Sequence, residues 1–355
     1  MKDKVDLKNF NQQQLINYVE SLGQPPFRGR QIMSWLYRPG ISEFSQMTDL
    51  AKEFRKILAE NCFISQFREP QIERAGDGCV KFGFKLADGN IIESVLIPEP
   101  DRKTLCVSSQ VGCAMNCSFC LTGTMGFSRN LLPSEIVNQV SGVRDFLLAE
   151  AQEELIGSDQ ITNLVFMGMG EPLNNLNNLL IAISILTEQK GLNIAARKIT
   201  VSTCGIAPKI REIGLNSSVN LAISLHAAND EVRNRIMPIN RTYPLADLMR
   251  ACREFPMPKR RRIMFEYILL KGINDSDEDA RQLSTLLSTI PCKINLLPYN
   301  ESPDLPYISP SRERILAFQE ILRKAHYSVF IRNSRGADIS AACGQLASKN
   351  QEDEN

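Results

Sequence analysis

The chain runs to 355 residues, of which 43% are hydrophobic and 23% charged, a length and balance that exclude a fibrous or disordered chain and fit one large α/β domain with an accessory unit. Lys and Arg number 41 against 40 Asp and Glu, so the net charge of +1 excludes a whole-molecule field that would draw in a polyanion. No apolar run approaches the ~20 residues that cross a bilayer. The polar, mixed-charge residues 1–10 do not read as a signal peptide. Ten cysteines without an export signal point to a reducing cytoplasm, where thiols stay free or bind metal.

Residues 5–60 read as helical. Leu15, Ile16, Val19 and Leu22 mark one amphipathic stretch, Ile32, Trp35 and Leu36 a second, and Leu50, Phe54, Ile57 and Leu58 a third. Pro25, Pro26, Phe27, Arg28, Gly29 and Arg30 read as a turn ending in two arginines, either a solvated connector or a phosphate contact. In residues 70–98 the period changes to that of a strand. Val80, Phe82, Phe84 and Leu86 alternate with other residues, Asp88-Gly89 signals a hairpin, and residues 91–97 return until Pro98. Glu93 sits in that second run, and alternation alone makes it a solvent-facing strand residue.

From Thr104 onward strands and helices alternate. Strands are predicted at 104–108, 163–167, 198–202, 220–225, 262–269 and 293–297, with 328–331 as a possible last one. Helices are predicted at 134–148, 179–189, 207–214, 245–255, 276–288 and 312–325. About six β/α units argue for a parallel sheet with right-handed crossovers. They are fewer than the eight of a closed barrel, so a partial, open (β/α)6 barrel is expected. The polar tail 348–355 is expected to be disordered.

The densest chemical signal is Cys113, Cys117 and Cys120, spaced C-x₃-C-x₂-C. Three thiolates suit a [4Fe-4S] cluster that keeps one iron free of protein ligands, whereas electron-transfer clusters usually have four. Open metal positions do chemistry. A structural zinc site would need a fourth ligand close by, yet the next cysteine is Cys204 and the only histidines are His226 and His326.

In parallel α/β folds ligands bind where strands end. The cysteine loop follows the first predicted strand, and Gly168-Met169-Gly170-Glu171-Pro172 the second. Ser202, Thr203, Cys204 and Gly205 follow the third, Ser224, Leu225 and His226 end the fourth, and Pro298, Tyr299 and Asn300 follow the sixth. The glycines allow close backbone approach, and Glu171 offers an acceptor for an ammonium group. Ser202, Ser224, His226 and Asn300 can hydrogen-bond a ribose, carboxylate or base, although His226 equally reads as a buried structural histidine. Cys343 lies between Gly336 and Gly344 in a small-residue segment that suits a mobile loop carrying a reactive thiol. Cys62, Cys79, Cys252 and Cys292 read as packing.

The three-cysteine loop, with Phe119 just before the third cysteine, resembles the signature of the radical S-adenosylmethionine (SAM) enzymes. The runs GCAMNCSFC from Gly112, FMGMGEPL from Phe166, AISLHA from Ala222, NLLPYN from Asn295 and AACGQL from Ala341 resemble, more closely, the family of adenosine C2 methyltransferases. That resemblance covers nearly the whole chain. It implies a radical SAM core over 99–335, a helical RNA-binding module over 1–62, a β-hairpin connector over 63–98 and a loop-and-tail segment over 336–355. It implies a [4Fe-4S] cluster on Cys113, Cys117 and Cys120, and SAM on Gly170, Glu171, Ser202, Ser224, Leu225, His226 and Asn300.

The family's chemistry implies roles for three more residues. One SAM methylates the thiol matching Cys343, and a second is cleaved at the cluster to a 5′-deoxyadenosyl radical that activates that methyl group for attack on C2 of adenine. Glu93 matches the proton acceptor, and Cys106 the thiol that resolves the covalent adduct through a transient disulfide with Cys343. The implied substrates are an adenosine in the peptidyl-transferase centre of 23S rRNA and the adenosine 3′ to the anticodon of tRNA. A small reducing protein such as flavodoxin or ferredoxin is the expected electron donor, and a monomer without membrane contact the expected state. Arg28 with Arg30, Lys259 with Arg260, Arg261 and Arg262, and Arg332 with Arg335 are the candidate RNA contacts. Two rivals stand beside this reading: the sister family that methylates C8 and confers antibiotic resistance, disfavoured by Pro172, and an iron–sulfur RNA-binding or electron-transfer protein without methyl transfer.

Overall fold

The computed structural model describes residues 4–67, 69–154, 160–257 and 260–346. The expected disordered tail 348–355 and Lys259 lie outside the described residues.

The N-terminal module is largely helical, with one addition. Strand β1 (Val5–Asp6) precedes helices α1 (Gln12–Ser21), α2 (Phe27–Leu36) and α3 (Lys52–Asn61), and pairs in parallel with β2 (Cys62–Phe63). Asn11 and Gln14 cap α1 reciprocally, each side chain accepting the other's backbone N–H. The expected turn at 25–30 is in part a helix. Pro26 occupies the cap position of α2, where a missing N–H costs nothing, so Arg28 and Arg30 lie in its first turn.

Three antiparallel strands follow: β3 (Gln71–Arg74), β4 (Val80–Lys85) and β5 (Ile91–Glu99), then β6 (Arg102–Cys106). A short hairpin, β7 (Gln110–Gly112) and β8 (Phe127–Asn130), encloses α4 (Leu121–Thr124) and the cysteine loop. The rest alternates: α5 (Pro133–Glu154), β9 (Asn163–Phe166), α6 (Leu176–Thr187), β10 (Ile199–Thr203), α7 (Ala207–Asn216), β11 (Asn220–Ser224), α8 (Asp230–Ile236), α9 (Leu245–Glu254), β12 (Ile263–Leu269), α10 (Asp277–Leu286), β13 (Cys292–Pro298), α11 (Arg312–Lys324) and β14 (Val329–Ile331).

All six expected parallel strands form, and the possible one at 328–331 becomes a seventh. The hairpin expected in the connector at 63–98 is β4–β5, and with β3 it pairs onto the core strands. It continues the core in a single ten-stranded sheet of order β14-β13-β12-β11-β10-β9-β6-β5-β4-β3, antiparallel from β3 to β6 and parallel from β6 to β14. Among the described residues its two edge strands, β14 and β3, do not pair with each other.

Register sorts the side chains into two faces. Phe82, Phe84, Leu105, Phe166, Val201, Ile223, Phe265 and Leu296 lie on the outer face and are buried. Each contributes about 1.5–3 kcal/mol by leaving water. Ser94 on this face donates to Gln139 Oε1 of α5 at 2.7 Å, and Tyr267 meets Phe318 of α11 at 5.3 Å, so the helices cover this side. The N-terminal module docks on α5, where Lys8 Nζ donates to Asn138 Oδ1 at 2.8 Å and Arg144 Nη1 to the Tyr37 carbonyl at 2.5 Å. Among the described residues no helix is long and apolar enough to cross a membrane.

Candidate active site

The inner face carries the chemistry. Gly83 pairs with Glu93, Lys81 with Val95, Val95 with Cys106, Cys106 with Val165 and Val165 with Thr200. Ser202 pairs with Ala222, Ser224 with Glu266 and Glu266 with Asn295. Paired residues point the same way, so Lys81, Glu93, Cys106, Ser202, Ser224, Glu266 and Asn295 all face the barrel interior. Residues scattered over more than two hundred positions become one wall through strand register alone.

The cysteine loop closes the C-terminal end of that wall. Gly112 starts it at φ 71°, and a Cβ there would sit 2.0 Å from the Gly126 carbonyl oxygen, so only glycine fits the bulge. Cys113 N–H donates to Gly126 at 2.7 Å, and Cys120 N–H to Cys117 at 3.1 Å. Burial pushes the Cys113 thiol up to about 11, and burial plus the neighbouring cysteines raises Cys117. Crowded thiols of this kind favour the bound form, because a cation removes both the desolvation and the repulsion. Among the described residues no three His, Cys, Asp or Glu side chains converge on one ion. Three thiolates that each take a different iron of a cluster need no common point, so the loop fits a [4Fe-4S] group.

Behind the loop lies a second apolar cluster of Phe119, Cys204, Ala227, Ile236, Met237, Ile268, Leu270 and Tyr299, with Cys117 and Cys120 packed against it. His226 meets Phe119 edge-on at 4.9 Å, and its Nδ1 accepts the Ile268 N–H at 3.0 Å. Burial lowers its pKa to about 3, so it is neutral and serves as an acceptor.

The glycine-rich turn after β9 is built for close approach. A Cβ on Gly168 would lie 2.7 Å from Ser108 Oγ, and one on Gly170 (φ 94°) 2.4 Å from Gln110 Cβ. Glu171 is buried, and both its oxygens already accept backbone N–H groups, Leu173 at 3.0 Å and Cys204 at 2.8 Å. It therefore organises two strand-end loops, and its remaining lone pairs are what a ligand ammonium would share. Leu225 is fully buried behind Ser224, and Ser202 Oγ lies 3.4 Å from Ser224 Oγ.

Cys343 sits on a strap that crosses the mouth of this chamber. Leu121 N–H donates to the Gly344 carbonyl at 2.8 Å, Thr122 Oγ1 to Leu346 at 2.6 Å and Asn300 Nδ2 to Cys343 itself at 3.5 Å. Solvent reaches Cys343, yet protein surrounds it, and that partial desolvation with the Glu266 carboxylate pushes its thiol up to about 11. Cys106 is buried, and Cys343 is close enough to raise its pKa further. The structure thus brings together Glu93, Cys106, Cys343, Ser202, Ser224, Asn300 and the cysteine loop, with Gly170, Glu171 and His226 on the loops that frame them.

Two residues of the site were invisible in the sequence. Arg233 is fully buried, donating to the carbonyls of Leu225 (3.0 Å), Cys204 (2.6 Å) and Ser224 (3.1 Å) and to Asn240 Oδ1 (2.8 Å). Glu266 accepts from Asn295 Nδ2 at 2.9 Å, and burial raises its pKa to about 7. The four bland cysteines, Cys62, Cys79, Cys252 and Cys292, are buried as packing requires.

The candidate RNA contacts divide. Arg30 and Arg332 are exposed, whereas Arg28 is engaged with Gln31 Oε1 at 2.8 Å and the Asp49 carbonyl at 3.1 Å. Arg335 is tied to Asp77. Arg260, Arg261 and Arg262 precede β12, at the N-terminal ends of the strands. They line a cavity of about 590 Å³ with Lys293, at the pole opposite the cysteine loop.

Comparison with known proteins agrees with this architecture. Residues 5–64 match the ribosomal RNA large subunit methyltransferase N-terminal domain, and residues 107–283 match the radical SAM superfamily. A dual-specificity RNA methyltransferase RlmN of Desulfotalea psychrophila is 68% identical over 346 residues, covering 98% of this chain and 96% of its own. The protein of the same name from Geobacter sulfurreducens is 50% identical, with 98% and 94% covered. The crystal structure of a radical SAM methyltransferase from Sphaerobacter thermophilus superposes with a TM-score of 0.87 at 42% identity, covering 96% of this chain and 99% of that one. On this evidence the chain belongs to the RlmN family of the radical SAM superfamily.

Proposed function

We propose that this protein is a SAM-dependent RNA methyltransferase that methylates C2 of adenosine in 23S rRNA and in tRNA through an S-methylated Cys343. The observation that carries the reading is the shared chamber: Cys106, Cys343, Glu93 and the three-cysteine loop face one interior. When bound, the cluster and SAM supply the electron and the carbon radical that activate an unreactive methyl group. The residues of the chain do the rest. Cys343 carries the methyl group to the base, Glu93 takes the C2 proton, and Cys106 releases the product by attack on the Cys343 sulfur. Gly170, Glu171, Ser202, Ser224, Leu225, His226 and Asn300 hold SAM, and the apolar wall behind Cys117 and Cys120 keeps water from the radical.

The proposed division of labour follows the sequence boundaries. Residues 1–62, Arg30 among them, recognise RNA together with Arg332, residues 63–98 supply the base, 99–335 form the radical core and 336–355 carry the methyl-bearing thiol. The target base leaves its stack to reach the cluster. The enzyme acts as a cytoplasmic monomer supplied with electrons by a small protein such as flavodoxin or ferredoxin.

The test is anaerobic cluster reconstitution followed by incubation with SAM, dithionite and either 23S rRNA fragments or tRNA. Mass spectrometry of the released nucleosides should find 2-methyladenosine. An 8-methyl product assigns the protein to the sister chemistry, and absence of 5′-deoxyadenosine refutes radical methylation altogether. Cys343→Ala should abolish transfer, and Cys106→Ala should trap a protein–RNA crosslink.

A further inference from the structure

We propose that Lys81 is a positioning residue that joins the Glu93 carboxylate to the Cys343 strap, so that the base meets the methyl-bearing thiol in one register. The inference rests on the roles assigned above to Glu93 and Cys343.

Lys81 lies on β4, on the inner face, one diagonal step from Glu93. Its side chain is 10% exposed and that of Glu93 9%. The ammonium donates a hydrogen bond to the Ile339 carbonyl oxygen at 2.8 Å and forms ion pairs with two carboxylates, Glu73 Oε1 at 3.0 Å and Glu93 Oε1 at 3.6 Å. Glu73, directly opposite on β3, is half exposed and would alone suffice as a surface ion pair. The other two contacts need a different reason. Glu93 on β5 is a buried carboxylate, and a buried carboxylate stays ionised only beside a cation or strong donors. Ile339 lies four residues before Cys343. One ammonium therefore touches both the carboxylate assigned as the base and the starting point of the strap that must deliver the thiol.

The strap has anchors that do not involve Lys81. Asp77 accepts from Gly336 N–H at 2.9 Å and from Arg335 Nε at 3.0 Å, and Asp338 accepts from Gly76 N–H at 2.8 Å. Removing the ammonium leaves these intact, so the strap stays docked while Glu93 loses its nearest cation among the described ion pairs.

The experiment compares Lys81→Met, Lys81→Arg and Glu93→Gln in the reconstituted full-length protein. Three quantities are read: S-methylation of Cys343 by intact-protein mass, protein–RNA adduct on a denaturing gel, and methylated adenosine. Lys81→Met is expected to keep S-methylation within about twofold, to accumulate adduct as Glu93→Gln does, and to lose product roughly tenfold or more, a modest part of what a general base supplies. Lys81→Arg should restore most of the product. Product at the unaltered rate in Lys81→Met overturns the proposal, and so does loss of S-methylation in parallel with product, which marks a merely structural lysine. If Glu93→Gln itself accumulates no adduct while Cys106→Ala does, the base assignment is wrong and this inference goes with it.

Discussion

Gly170→Ala is the sharpest probe of the site, because two independent constraints meet there. The residue has φ 94°, a conformation that costs an L-residue about 1–2 kcal/mol. Its added Cβ would lie 2.4 Å from Gln110 Cβ, 2.7 Å from Cγ and 2.9 Å from the Gln110 nitrogen. Gln110 has little room to give way. Its Oε1 accepts the Glu171 N–H at 2.8 Å and its Nε2 donates to Asn130 at 2.7 Å, so retreat breaks bonds worth about 1 kcal/mol each. The sum is about 3–4 kcal/mol. At about 2 cal/mol/K per residue the unfolding entropy of the 355-residue chain is about 0.75 kcal/mol/K, so Tm should fall by about 4–5 °C. Gln110 also begins the hairpin enclosing the cysteine loop, so iron bound per chain should fall as well. Calorimetry and iron analysis on anaerobically purified protein read both quantities. An alanine variant with unaltered Tm and iron content would refute the close packing of the two loops.

Other outcomes follow from the same geometry. His226, neutral when folded, binds its proton at about 3 against 6.5 when unfolded, so the unfolded chain holds more protons in between and stability is lost as the pH is lowered across that window. His226→Asn should flatten the acid limb of a denaturation profile by about 2 kcal/mol near pH 5, and an unchanged limb refutes the neutral assignment. Glu266 has the opposite sign, since it keeps a proton up to about 7 that the unfolded chain loses near 4.5. Glu266→Gln should therefore gain about 3 kcal/mol at pH 8 and almost nothing at pH 4, and equal gains at both would refute it. Arg233→Lys should cost about 2–4 kcal/mol in urea unfolding, because an ammonium cannot satisfy four fixed oxygens. A loss below about 0.5 kcal/mol would show that those oxygens find other donors.

What the sequence could reveal depended on which physical signal each element left. The parallel strands were legible because both faces are covered, which gives runs such as those at 220–225 and 262–269. The cysteine spacing was legible because ligand chemistry is local. Glu93 was misread by alternation alone as facing solvent, yet it is buried. Alternation identifies which face a residue takes but not what lies over that face, and here it is the barrel interior. Glu266 was hidden for the same reason within an apolar strand. Arg233 left no trace, because an arginine in a short charged helix looks like any solvated one. The β7–β8 hairpin was missed because three- and four-residue strands carry too little periodicity, and residues 25–30 were read as a turn where Pro26 caps a helix that starts at Phe27.

The continuous sheet makes the protein sensitive to odd and even in a way an assembly of separate modules is not. Inserting a single residue ahead of Glu93 within β5 would rotate its carboxylate into the oily layer under α5 and swing Ser94 into the lumen, while inserting two would restore both. Length variation among relatives should therefore collect in the connections. Where it enters a strand it should come in pairs, or with a bulge that absorbs the surplus residue.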